Sequence, residues 1–156
     1  MDWTIRALRV IRRWEPACGI LLLVDGGFSS FELLEECCRL HISIIYRLRI
    51  DAKLYEFPPE PVPGKRGPKP KKGALRPSLS TLAKDDQQPW KKATLAWYQV
   101  GEKNISYISG VALMYKANHI PIAVKWVLVR VEGKKNPQAF LAIMLSLRLS
   151  TFSSAT

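Results

Sequence analysis

Along the first fifty residues the hydrophobic positions change period three times. Trp3, Ala7, Val10, Ile11 and Trp14 recur at helical spacing, with Arg6, Arg9, Arg12 and Arg13 mostly off that face. This predicts an amphipathic helix over 3–14, ended by Pro16. Cys18 to Val24 is an unbroken apolar run, the pattern of a strand buried on both sides in a sheet covered by helices. Asp25-Gly26-Gly27 stops it. Ser29 or Ser30 can cap a second helix, with Glu32 in its first turn. Phe31, Leu34 and Cys38, together with Leu33 and Cys37, supply that helix's apolar face to about Leu40. Ile42 to Leu48 is β-branched and aromatic, a second strand. The order α–β–α–β, with a helix joining the strands, gives a crossover unit and α/β architecture.

The pattern stops at Asp51. Phe57 to Pro77 holds seven prolines and three glycines, so regular helix is forbidden and the chain is expected to be extended. From Lys92 the period becomes two. Ala93–Val100, Asn104–Tyr115 and Ile122–Val131 read as strands, the first two joined at Gly101-Glu102-Lys103 as a hairpin. In the third, Ile122, Val124, Trp126, Leu128 and Arg130 share one side. Ala139–Leu145 is a further strand after a turn at Gly133–Asn136, and the tail beyond it is expected to fray. The organisation expected is therefore an α/β part over 1–50, a Pro/Lys-rich linker over 51–91, a β-rich part of antiparallel strands over 92–147 and a tail over 148–156.

Composition adds a partner. The chain has 156 residues with 24 Lys+Arg against 13 Asp+Glu, a net charge of +11. Residues 1–50 are almost balanced, with 7 basic and 6 acidic side chains; 51–100 carry 10 and 5, and 101–156 carry 7 and 2. A basic excess confined to the last two thirds points to a polyanion, most simply nucleic acid. Lys65, Arg66, Lys69, Lys71 and Lys72 crowd into the Pro-rich segment. They form either a solvated linker or a flexible arm that contacts phosphates and releases counterions. The apolar run Ile20 to Val24 is far short of the roughly 18 residues of a membrane span. Cys18, Cys37 and Cys38 have no metal-ligand spacing and read as reduced thiols of a cytoplasmic protein.

Few residues carry catalytic potential. His41 and His119 are isolated, and the Gly/Lys stretch lacks the ending of a phosphate-binding P-loop. Asp25 ends an apolar strand before two glycines. It either opens a turn or faces the functional edge of an α/β sheet, where carboxylates gather divalent metals.

The string LLLVDGGFSSFELLEECCRLHISIIYRLRIDAKLY resembles the middle of a DDE transposase of bacterial insertion sequences. The GKRGPKPKKG segment, the WYQVGEK hairpin and IPIAVKWVLVRVEGKKNPQAFL follow in the family's order, so the likeness runs from about Trp3 to Leu141. It implies part of a ribonuclease H-like core followed by a β-rich insertion over about Asp51–Lys135. It also implies an ancestral metal-dependent endonuclease activity in DNA transposition and recombination. By position, Asp25 matches the family's second catalytic Asp, a ligand of two Mg²⁺ or Mn²⁺ ions. Arg47 and Arg49 would lie toward the DNA backbone. Trp126 matches a strand Trp that stacks on a base in hairpin-forming relatives, although its periodicity suits a core aromatic. The family's first Asp and its catalytic Glu have no counterpart in the sequence. The resemblance therefore implies a truncated, catalytically inactive fragment with weak metal binding at most and residual DNA binding, or a regulator that pairs with a full-length transposase.

Overall fold

A computed structural model of the chain describes residues 2–28, 30–64, 66–97 and 101–144. The elements are α1 (Asp2–Trp14), β1 (Leu21–Val24), a 3-10 turn (Gly26–Phe28), α2 (Phe31–Arg39), β2 (Ser43–Leu48), α3 (Leu79–Leu82), β3 (Lys91–Trp97), β4 (Gly101–Met114), β5 (Ile122–Val131) and β6 (Gln138–Ile143). The protein is mixed α/β, with a six-stranded sheet in the order β1-β2-β6-β5-β4-β3. It divides into two compact units, one built from the chain up to Arg47 with the segment from Leu141, the other from Leu48–Phe140. No helix among the described residues is long and apolar enough to cross a membrane.

In the first unit β1 and β2 run parallel, with Leu21 opposite Ser43 and Val24 opposite Tyr46. The helix between them begins at Ser30, whose hydroxyl accepts the Leu33 N–H at 3.1 Å, a cap worth about 1 kcal/mol. Ser29 lies outside the described residues. Leu33, Leu34 and Cys37 of α2 are fully buried with Ile42 and Ile44 of the following segment. Helix α2 closes at Leu40, and His41 turns the chain with φ 53°.

Helix α1 forms where the spacing predicts one, but its apolar stripe does not face inward: Trp3 and Trp14 are 79% and 74% exposed, whereas Leu8 is buried. Polar contacts set that rotation. Arg9 Nε donates to Glu36 at 2.7 Å. Arg12 donates to the carbonyls of Leu40, Cys18 and His41 at 2.8–2.9 Å, Leu40 being the C-cap of α2. Nor is Cys18–Val24 a strand covered on both faces. Only Leu21–Val24 is strand, Leu21 and Leu23 are exposed, and β1 stands at one end of the sheet order.

Glu36 went unnoticed in the sequence and is the buried carboxylate of the unit. Arg39, by its Nε at 3.0 Å and by its terminal nitrogen, and Arg9 both donate to it. These hydrogen bonds, Arg39's first, hold its pKa down from 4.5 to about 2. The folded carboxylate is thus the more acidic, so the pair's stabilisation is present in full above about pH 5 and is lost as pH falls from 4.5 toward 2. Both arginines are half-exposed, at 51% and 61%, so solvent screening keeps the contribution to about 1 kcal/mol or less. Urea unfolding at pH 6 and pH 3 should show this loss in the wild type, and Glu36→Gln should remove that part of the pH dependence.

In the second unit β3, β4 and β5 form an antiparallel meander. Lys91 pairs with Tyr107 and Trp97 with Gly101; Ile105 pairs with Val131 and Met114 with Ile122. The expected alternation in β5 is present: Ile122, Val124, Trp126 and Leu128 are buried. The expected hairpin at Gly101-Glu102-Lys103 is displaced. Those residues already pair as strand with Leu95–Trp97, so the connection falls at 98–100, outside the described residues. Gly101 begins the strand with φ +84°, a conformation glycine adopts without steric cost. Ala139–Leu145 is observed as Gln138–Ile143, and the tail expected to fray lies outside the described residues.

Candidate nucleic-acid interface

The Pro/Lys-rich segment was expected to be a linker, but both of its ends are fastened. Glu56 N–H donates to Ala74 O, Gly73 N–H to Glu56 O and Arg76 N–H to Leu54 O, each at 2.8 Å. Tyr55 also exchanges two backbone hydrogen bonds with Leu113 of β4, at 2.8 and 2.9 Å. Gly73 is required here, because a Cβ would lie 2.5 Å from Phe57 O and 2.9 Å from Glu56 O. Residues 57–72 are therefore a loop with a clamped neck. Leu54 and Leu79, on either side of it, are buried at 3% and 1% exposure.

The neck also occupies one of the candidate cations. Lys72 Nζ stands 4.0 Å from the Tyr55 ring centroid and 4.3 Å from that of Tyr115. The two rings meet edge to face, with centroids 6.1 Å apart. A cation between two rings is held by their quadrupoles, so Lys72 anchors the loop before it contacts anything else. Arg66, Lys69 and Lys71 are different: all three are exposed. Lys65 lies outside the described residues. Glu60 is the loop's sole acidic residue.

The other candidates occupy distinct settings. Arg47 is exposed near the end of β2. Arg49 is exposed too, but its guanidinium is bidentate to Asp51 at 3.0 and 2.8 Å. That pairing holds the Asp51 carboxyl below its ordinary range and reduces the charge Arg49 offers a phosphate. Trp126 takes the core alternative. It is 4% exposed, and its ring lies against Gly110, where a Cβ would sit 2.7 Å from ring Cζ2. The Arg76 guanidinium is 5.9 Å from the ring centroid. A base could stack on Trp126 only after the strands had separated.

Asp25 stands exposed where β1 ends. Its Oδ1 accepts the Gly26 N–H at 2.7 Å, the local bond of a turn. Gly26 passes so close to β2 that a Cβ would lie 2.8 Å from Arg47 O. The glycine thus lets Asp25 and Arg47 reach the same end of the parallel pair. Among the described residues no three His, Cys, Asp or Glu side chains gather as a metal site. Asp25 as it stands does not fit the two-metal clamp, which needs several carboxylates.

Some of the residues that shape the second unit carried no signal in the sequence. Arg130 stacks on Trp90 with its guanidinium 3.9 Å from the ring centroid, and it donates to Asp86 at 2.7 Å and to Ala83 O at 3.0 Å. Beside it an open cleft of about 610 Å³ is lined by Lys92, Thr94, Asn104, Ser106, Arg130 and Glu132 among others. Its polar groups largely satisfy one another: Thr94 Oγ1 donates to Asn104 Oδ1 at 3.0 Å, and Asn104 Nδ2 to Glu132 Oε2 at 2.9 Å. In the first unit, burial next to Cys38 and Glu36 pushes the Cys37 thiol up to about 12. It stays protonated, the state of a packing residue rather than a nucleophile.

Comparison with family models, with curated proteins and with solved structures finds no match to this chain.

Proposed function

We propose that this chain binds duplex DNA through the clamped basic loop of residues 57–72, with Arg66, Lys69 and Lys71 as the principal phosphate contacts. The observation that carries the reading is three exposed cations on a loop whose neck is fixed and whose tip is Pro/Gly-rich. Fixing the neck limits the entropy lost on binding, while a thin tip lets the cations follow a groove. Arg47 and Arg49 are secondary contacts, Arg49 the weaker because of Asp51. Trp126 supports the sheet.

The ordered sequence blocks supply the origin: a DDE transposase of insertion sequences, with residues 1–50 standing for part of a ribonuclease H-like core. The parallel pair β1–β2 with an exposed Asp at its end supports that reading. Asp25 then holds the place of the family's second carboxylate. DNA binding, and not cleavage, is the activity proposed for these residues.

The test is fluorescence anisotropy of a labelled duplex with the full chain across a salt series. Saturable binding is expected at low salt. Its logarithmic slope should be about −3, since three phosphate contacts each contribute about −0.9. No saturable binding at low salt would overturn the proposal.

A second reading has its own support in the exposed edge of β1 with Leu21 and Leu23. An unpaired strand edge is a template for another strand, so the chain could regulate a full-length transposase by pairing with it. Co-expression with such a transposase and recovery of a stoichiometric complex would favour this reading over DNA binding alone. Recovery of the two chains separately would remove it.

A further inference from the structure

The loop's shape restricts which groove of DNA it can enter, an inference that rests on the DNA-binding reading above. A major-groove reader is usually a helix or a two-stranded ribbon presenting side chains to base edges. Within residues 57–72 the described chain forms neither. Between Pro61 and Lys72 the residues other than cations are Pro61, Val62, Pro63, Gly64, Gly67, Pro68 and Pro70. Glu60, near the start of the loop, is the one side chain in residues 57–72 of the kind that pairs with adenine or cytosine in the major groove.

What remains is a thin backbone with cationic side chains. Pro63 and Gly64 make a turn at the tip, and Gly64 and Gly67 take φ +88° and +136°. Chain neighbours apart, no atom of the described residues lies within 4 Å of where a Cβ would be at either glycine. Lys65 and Arg66 stand between these two glycines, and Arg66 is exposed. The minor groove is a narrow slot, about 6 Å wide. It narrows further in A·T tracts, where its potential is more negative and draws arginine in. A G·C pair instead places the guanine 2-amino group on the groove floor.

We infer that Arg66 enters the minor groove of A·T-rich duplex DNA, with Lys69 and Lys71 on the flanking phosphates. The loop would then read groove width and the bare floor, not a defined sequence.

The experiment uses the full chain and three labelled duplexes of equal length: A·T-rich, G·C-rich, and the G·C-rich duplex with inosine replacing guanine. Inosine removes the minor-groove amino group and keeps the major-groove acceptors of guanine. The A·T and I·C duplexes should bind alike and about tenfold tighter than G·C at about 0.1 M salt. Arg66→Lys keeps the charge and lacks the planar guanidinium. It should retain the salt slope and bring the preference below about twofold. Lys53→Gln, a single charge removed at an exposed position outside the loop, should leave the preference unchanged. Equal affinity for all three duplexes would overturn the minor-groove inference and leave DNA binding standing. So would I·C binding that follows G·C, or a preference for G·C, which is Arg66 reading guanine in the major groove. A preference that survives in Arg66→Lys would overturn the role given to Arg66. If no duplex binds, the DNA-binding reading itself falls, and this inference with it.

Discussion

Replacing Arg66, Lys69 and Lys71 together by glutamine should weaken binding to duplex DNA by about 500-fold at about 0.1 M salt, and should flatten the logarithmic salt slope by about 2.7. The slope change is three contacts at about 0.9 each. The affinity loss follows from the same counterion term, which makes each contact worth nearly tenfold at that salt. Fold stability should not change, because the three side chains are exposed and the loop's neck is tied by backbone bonds at residues 54–56 and 73–76. Arg49→Gln provides the contrast. Its charge is already shared with Asp51, so the slope should change by less than about 0.9. Titration of the labelled duplex at three salt concentrations measures both variants. A triple variant with the wild-type slope would place the phosphate contacts elsewhere.

Trp126→Ala should destabilise the unit of residues 48–140 by about 3–5 kcal/mol, the usual cost of emptying a buried aromatic site. The ring is almost fully buried and fits against Gly110 directly across the β4–β5 ladder. Its indole N–H has no hydrogen-bond partner among the described residues, and an orphan donor of that kind costs about 1–3 kcal/mol. Trp126→Phe removes the donor together with part of the ring, so the two effects oppose each other and the net change should stay within about 2 kcal/mol. Gly110→Ala should be worse than an ordinary strand substitution, since its Cβ would sit 2.7 Å from the Trp126 ring. Urea unfolding of each variant, followed by duplex binding of those that fold, separates packing from recognition. If Trp126→Ala unfolds like the wild type but loses DNA affinity, the base-stacking role is restored.

How legible the protein was depends on what each element answers to. The α2–β2 segment was readable because its signals are local: Ser30 caps the helix, and buried apolar residues alternate through Ile44, Tyr46 and Leu48. The alternation in β5 was readable for the same reason. Helix α1 was not. Its apolar stripe is real, but the face that packs is chosen by Arg9 and Arg12 meeting Glu36, Leu40 and His41, roughly thirty residues onward. Burial of β1 was misjudged because an apolar run reports what could be covered, not what covers it. The β3–β4 turn was misplaced because Gly101 looked like a turn residue and serves as the first residue of a strand.

The candidate site divides along the same line. Exposed cations in a Pro/Gly-rich segment were visible in composition alone. The clamp at the neck was not, since it depends on Tyr55 pairing with Leu113 and on Lys72 settling between Tyr55 and Tyr115. Trp126 carried two readings in the sequence, and only its position opposite Gly110 separates them.

The central claim is that the loop of residues 57–72 is the surface that meets DNA. Amide chemical-shift perturbation on the ¹⁵N-labelled full chain, with unlabelled duplex added in steps, tests it most directly. The largest shifts should cluster at Gly64, Arg66, Gly67, Lys69 and Lys71, and Asp25 and the β5 core should move little. Shifts that cluster along β1 or the cleft beside Arg130, with the loop amides unmoved, would contradict it.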